Sequence, residues 1–329
     1  MNDISCILSD VDALSLAIEN LTSPPVLAFV LGALAVVVRS DLRLPDPIHT
    51  WLSAYLLLAI GLKGGSALRD VDPVDLVGPA TATVAIGLVT PLVTYGAGRR
   101  LLALSRDDSG TLAAHFGSVS VVTFTAASVF VTEAGFGVEG FMTSLVALLE
   151  IPGIIVALMM VSLRGAGGGW TEALHEVLTG RSVLLLVGGL VIGGVASDAA
   201  FARVEPFFVD MFTGLLVLFL LDMGATAAAR LRGSRSLTPR VIAFGLVAPI
   251  VFGVLGVIGG VVSGLSVGGA AVLGTMAASA SYIAAPAATR LALPDADHAL
   301  SLGVALGVTF PFNLALGIPL YVTIADALA

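Results

Sequence analysis

The 329 residues are 57% hydrophobic and 12% charged, with a mean hydropathy of +1.04. Soluble domains carry about 25% charged residues, so this composition excludes an ordinary soluble enzyme and points to a chain that crosses a membrane many times. The net charge of −8 comes without a basic cluster, which argues against nucleic acid as a partner, and the one cysteine, Cys6, excludes an intrachain disulfide or a thiolate metal cluster.

Residues 1–24 are polar to weakly amphipathic and lack the pattern of a cleaved signal peptide, so a peripheral N-terminal segment is expected. Ten apolar spans are then expected in chain order. The first, 25–38, is short for the ~20 residues of a crossing, with 21–44 as margin and Arg39 and Arg43 near its end. The second, 48–68, closes on Gly61-Leu62-Lys63-Gly64-Gly65-Ser66 and holds the single lysine. The third, 76–98, contains Pro91. The fourth, 111–132, contains His115-Phe116-Gly117-Ser118-Val119-Ser120-Val121-Val122-Thr123, small and hydroxyl-rich in an apolar setting. The fifth, 141–163, contains Glu150-Ile151-Pro152-Gly153. A Gly-rich connection, 164–181, leads to the sixth span, 182–198. The seventh, 209–230, holds Asp210 and Asp222, and the eighth, 240–263, holds Pro249. The ninth, 267–292, is interrupted by Ser279-Ala280-Ser281-Tyr282 up to Pro286, and the tenth, 299–323, carries Thr309-Phe310-Pro311-Phe312-Asn313.

The two halves resemble each other. Residues 27–41 match 184–198, Gly87 to Val93 match Gly245 to Val251, Ser118 and Ser120 match Ser279 and Ser281, and Ile151-Pro152 matches Phe310-Pro311, at offsets of 157 to 161 residues. The sequence therefore predicts an all-α polytopic membrane protein of ten transmembrane helices. These form a 5+5 inverted repeat, with units 1–163 and 182–329 joined by a cytoplasmic linker 164–181. Twelve arginines fall in the loops of one side and only Arg69 and Arg203 on the other, so the first side is expected to be cytoplasmic and both termini to face outward from the plasma (inner) membrane.

Backbone leaves the helix inside a bilayer only where protein or a water-filled cavity covers it. Two broken helices meeting at Gly117, Ser118, Ser120 and Thr123 and at Ser279, Ser281 and Tyr282 would present helix N-termini and hydroxyls to a small anion. The same serines also suit plain helix packing. Glu150 within a span is costly unless paired, protonated or holding a cation. With carbonyls freed beside Pro152, and with Thr123, Thr309 and Asn313, it forms a candidate sodium shell; a proton-carrying or structural Glu150 is the alternative. Asp222 could pair with Lys63 or serve structure, and His115 reads as packing or gating. Gly64-Gly65 and Gly165-Ala166-Gly167-Gly168-Gly169 lack the setting of a nucleotide loop. No serine, histidine and acid set points to hydrolysis and no segment to ATP binding, so neither an enzyme nor a self-contained pump is expected.

Residues 115–120 with Thr123, Glu150-Ile151-Pro152, Ser279 to Arg290 around Ala285-Pro286, Phe310-Pro311, and Gly317-Ile318-Pro319-Leu320 together resemble the sodium-dependent bicarbonate transporter family from about Ser23 to Ala329. Val121 and Val122 depart from the family's glycine and serine, Tyr282 stands where it has aspartate, and Glu150 replaces aspartate. The resemblance implies secondary transport of bicarbonate coupled to Na+, with no other cofactor. It also implies a homotrimer, contact with membrane lipid, and in some members a PII-like cytoplasmic regulator. A proton-coupled or uncoupled organic-anion transporter on the same fold, and a membrane sensor or assembly scaffold that does not transport, are the competing readings.

Overall fold

The computed structural model describes residues 13–42, 44–162, 175, 178–233 and 236–329. Cys6, Arg43, Arg235 and most of the connection 164–181 lie outside the described residues. The described chain is helical: α1 (Ala13–Thr22), α2 (Pro24–Val37), α3 (Asp46–Leu68), α4 (Pro73–Arg100), α5 (Arg106–Gly117), α6 (Val121–Glu133) and α7 (Met142–Ser162) come first. They are followed by α8 (Arg181–Val195), α9 (Phe212–Gly233), α10 (Pro239–Val262), α11 (Val267–Ala278), α12 (Ala284–Ala292) and α13 (His298–Leu328). Polar caps start several of them. Asp72 accepts from the Val74 amide at α4, Ser105 from Asp108 at α5, Thr238 from Val241 at α10 and Ser266 from Gly269 at α11.

The expected ten membrane-length helices are not found. Among the described residues seven helices are long and apolar enough to cross, and eight if the bent pair Ser15–Thr22 and Pro24–Val37 is one span. The shortfall has a physical cause at each expected span that is missing. α2 has 14 residues, and with α1 forms a pair bent by 59°. α8 has 15 residues, and the expected ninth span is divided into helices of 12 and 9. At 1.5 Å per residue none of these alone reaches across a ~30 Å hydrocarbon layer. The inverted 5+5 repeat rested on an odd number of full spans in each half, so it loses its premise.

The helices pack in two interleaved groups that mix the sequence halves. α3 lies along α8, and α2 along α9. The second group sets α4, α5 and α7 together, with α10 on α11 and α4, and α11 against α6 and the C-terminal part of α13. Glycine permits the close pairs. A Cβ at Gly61 or Gly193 would overlap the opposing backbone of α8 or α3, and one at Gly32 or Gly224 that of α9 or α2.

Candidate functional site

Two helices stop at polar residues and face each other. α5 ends at Gly117, Ser118 takes an extended backbone (φ −116°, ψ 170°), and Ser120 opens α6 as its N-cap. The Ser118 hydroxyl turns back to donate to the Ala114 carbonyl at 2.8 Å, satisfying an acceptor that the broken helix leaves free. Ser120 Oγ accepts from the Thr123 amide at 3.2 Å and from the Thr123 hydroxyl at 2.9 Å. The second interruption covers 279–283, between α11 and α12. Ser279 Oγ donates to the Met276 carbonyl, and Ser281 Oγ accepts from the Ala285 amide at 3.3 Å.

Two hydrogen bonds tie the interruptions together. The Ser120 amide donates to Ser279 Oγ at 2.8 Å, and the Ser281 amide donates to the His115 carbonyl at 2.8 Å. Ser118, Ser120, Thr123, Ser279 and Ser281 are all buried. Both interruptions and Glu150 contribute to one small cavity of about 10 Å³, lined by Ser120, Glu150, Ser182, Ser281, Tyr282 and neighbouring apolar groups. That volume suits a single water-sized occupant. Glu150 is 1% exposed and its Oε2 has no hydrogen-bond partner. No lysine, arginine or histidine lines the cavity to offset that carboxylate. The Tyr282 hydroxyl interacts with Ser120 without a well-formed hydrogen bond, and its ring stands edge-on to Phe310.

The small cavity shares Ser182, Tyr282 and Ile283 with an open vestibule of about 450 Å³. Arg181, Arg230 and Arg290 line this vestibule together with Asp46 and the His49–Asp222 pair. A second open cavity, about 410 Å³, lies at the other end of α3 and is lined by Lys63, Ser128, Glu133 and Glu139 among others. The interruptions contribute to neither the second cavity's lining nor its charge.

The other expected site residues go elsewhere. Thr309 Oγ1 donates to the Gly245 carbonyl at 2.8 Å. That carbonyl is the one whose helical partner would be residue 249, a proline without an amide, so Thr309 repairs a bond that Pro249 removes. Asn313 Nδ2 donates to the Ala278 carbonyl at 2.8 Å, closing the end of α11, and its Oδ1 accepts from the Tyr321 hydroxyl at 3.1 Å. Neither residue lines the cavity that holds Glu150. Gly117 serves close packing. A Cβ there would press on Pro91, and a Cβ at Gly153 would overlap the Gly117 carbonyl. Lys63 does not pair with Asp222. Its ammonium stands 5.0 Å from the Phe212 ring centre, while Asp222 is bonded to His49 Nδ1 at 2.7 Å. His115 is fully buried with both ring nitrogens unpartnered, and it contributes its backbone carbonyl to the junction. The sequence carries no signal that marks Ser182 as a site residue, and for the vestibule arginines its one signal is their clustering in loops.

The arrangement thus combines two tied helix ends, a buried carboxylate with an unpartnered oxygen and an arginine-lined approach. Among the described residues no cluster of three His, Cys, Asp or Glu is placed to hold a metal. The profile of the Na+-dependent bicarbonate transporter superfamily matches residues 24–326. The chain belongs to that superfamily. A search of curated proteins returns no significant match. Membership agrees with the polytopic helical fold and assigns the chain to a class of membrane transporters rather than of enzymes.

Proposed function

We propose that the protein is a secondary transporter of a small anion such as bicarbonate, coupled to Na+, with its site at the junction of the two helix interruptions. The observation that carries this reading is the convergence of Ser120, Ser281, Tyr282 and Glu150 on one small cavity that abuts an arginine-lined vestibule. In a low-dielectric site a bare Glu150 carboxylate repels an anion strongly. A cation at Glu150 removes that repulsion, so anion and cation favour each other's binding, which is the requirement for symport. Ser120 and Ser281, whose side chains line the cavity, supply hydroxyl groups for the anion, while Ser118 and Ser279 donate theirs to the Ala114 and Met276 carbonyls and fix the helix ends, with Thr123 holding Ser120 in place. Thr309 and Asn313 act through the backbone, by fixing the helix ends rather than by facing the cavity.

The cavity of about 10 Å³ fits one water-sized body, so carriage of bicarbonate requires its walls to separate. Arg181, Arg230 and Arg290 in the vestibule favour a cytoplasmic opening by the positive-inside tendency. A homotrimer and a PII-like regulator remain part of this proposal on family grounds alone.

Uptake of labelled bicarbonate into proteoliposomes, with and without an inward sodium gradient, tests the reading. Sodium-stimulated accumulation is expected. Absence of any ion-dependent flux for bicarbonate and for small organic anions sinks it. The unpartnered Glu150 oxygen favours one second reading, coupling to protons. Flux that persists without sodium and follows a pH gradient selects it.

A further inference from the structure

We propose a binding site for the phosphate headgroup of an anionic phospholipid at the corner of α4, α5 and α7. A cavity of about 530 Å³ there is lined by Arg99 and Arg100 from the last turn of α4, Arg106 from the start of α5, and Met160 of α7. Leu92, Tyr95 and Gly96 of α4 complete it, and no acidic residue belongs to the lining. Its lining shares no residue with the small cavity at the helix junction.

Three features identify the occupant. The first is charge. Arg99 donates to the Leu104 carbonyl and is fixed at the turn, while Arg100 and Arg106 are exposed and form no ion pair among the described residues. Asp107 and Asp108 follow Arg106 in the first turn of α5, but neither lines the cavity or forms an ion pair with these arginines among the described residues, and Asp108 accepts from the Ser105 hydroxyl at 2.6 Å and the Asp297 amide at 2.7 Å. Helix electrostatics explain Arg99 and Arg100, which sit at the negative end of α4, but not Arg106, which sits at the positive end of α5.

The second feature is the apolar wall. Leu88, Val89, Leu92 and Val93 are exposed along α4 and lead straight to the arginines, as acyl chains below a headgroup require. The third is open space, since a Cβ at Gly96 would meet nothing within 4 Å. A basic pocket between membrane helices at the interface has the chemistry of a phospholipid headgroup site. A soluble phosphate would gain nothing from the α4 wall.

The test uses the full chain, delipidated in neutral detergent, titrated with phosphatidylglycerol or phosphatidylcholine and read by native mass spectrometry. One saturable phosphatidylglycerol adduct is expected, retained in preference to phosphatidylcholine. R100Q/R106Q should weaken it by roughly tenfold or more. R240Q, an exposed arginine outside the pocket, should leave it unchanged. The single variants R100Q and R106Q carry the same test should the double variant fail to fold. Equal retention of the two lipids overturns the proposal, as does an equal loss in R240Q. Displacement of the adduct by millimolar inorganic phosphate replaces the lipid with a soluble anion and also overturns it.

Discussion

At the scale of single residues, the junction depends on a few buried hydroxyls and one carboxylate. Ser279 Oγ is the acceptor for the buried Ser120 amide. In Ser279→Ala that amide loses its partner, which costs about 1–3 kcal/mol, and a lower melting temperature in detergent is expected. An unchanged melting curve would show that another acceptor is at hand. Thr309→Val strips the bond to the Gly245 carbonyl, already without an amide partner because of Pro249. Its cost should be similar, with sodium dependence of uptake preserved, because Thr309 does not line the cavity. Glu150→Gln keeps the side-chain shape and removes the charge. Bicarbonate uptake by this variant should lose its dependence on the cation gradient, becoming a slow, uncoupled exchange. Retained sodium stimulation in Glu150→Gln would remove Glu150 from the coupling step.

At the scale of elements, close packing of α7 on the end of α5 sets where the first interruption sits. Gly153 meets the Gly117 carbonyl with no room for a Cβ. Gly153→Val should push α7 away, at an overpacking cost of about 1–3 kcal/mol. Uptake should fall more than expression does, and comparison of transport rate with the amount of folded protein by size-exclusion chromatography checks this. Much of this level was legible in the sequence. Continuous apolar runs fixed α3, α4 and α10 to within a few residues, and the interruptions at 118–120 and 279–283 fall within the hydroxyl-rich stretches. Span counting failed where helices are short or bent, because apolar content around 21–44 and 182–198 does not reveal where the helix ends. The make-up of the candidate site was legible only in part. Glu150 and the serines could be picked out as polar groups in apolar spans, but their partners come from elsewhere in the fold. Ser182 arrives from α8, and His49 reaches Asp222 across 173 residues. Proline near Thr309 and Asn313 suggests ion ligands from sequence, and the structure adds that both bond backbone carbonyls, one of them freed by Pro249 and the other at the end of α11.

At the scale of the whole molecule, the vestibule and the second cavity lie at opposite ends of α3, with the junction next to the vestibule alone. A transporter must not leave its site open to both sides at once, so occupancy of the junction should move the two cavities in opposite senses. The chain offers a clean way to see this, because Cys6 is its only cysteine. In a C6S background, T226C reports on the vestibule and S128C on the second cavity. Bicarbonate with sodium should change the labelling rate of these positions by membrane-impermeant maleimides severalfold, one rising as the other falls. Sodium alone should have a smaller effect, since the cation prepares Glu150 but leaves the anion groups unfilled. The E150Q change introduced into both reporters should abolish the sodium requirement of that response while leaving the bicarbonate response in place. Reporters that stay constant under saturating bicarbonate and sodium would mean that the helix junction is a rigid strut, and that the tied serines hold the fold together without moving an ion.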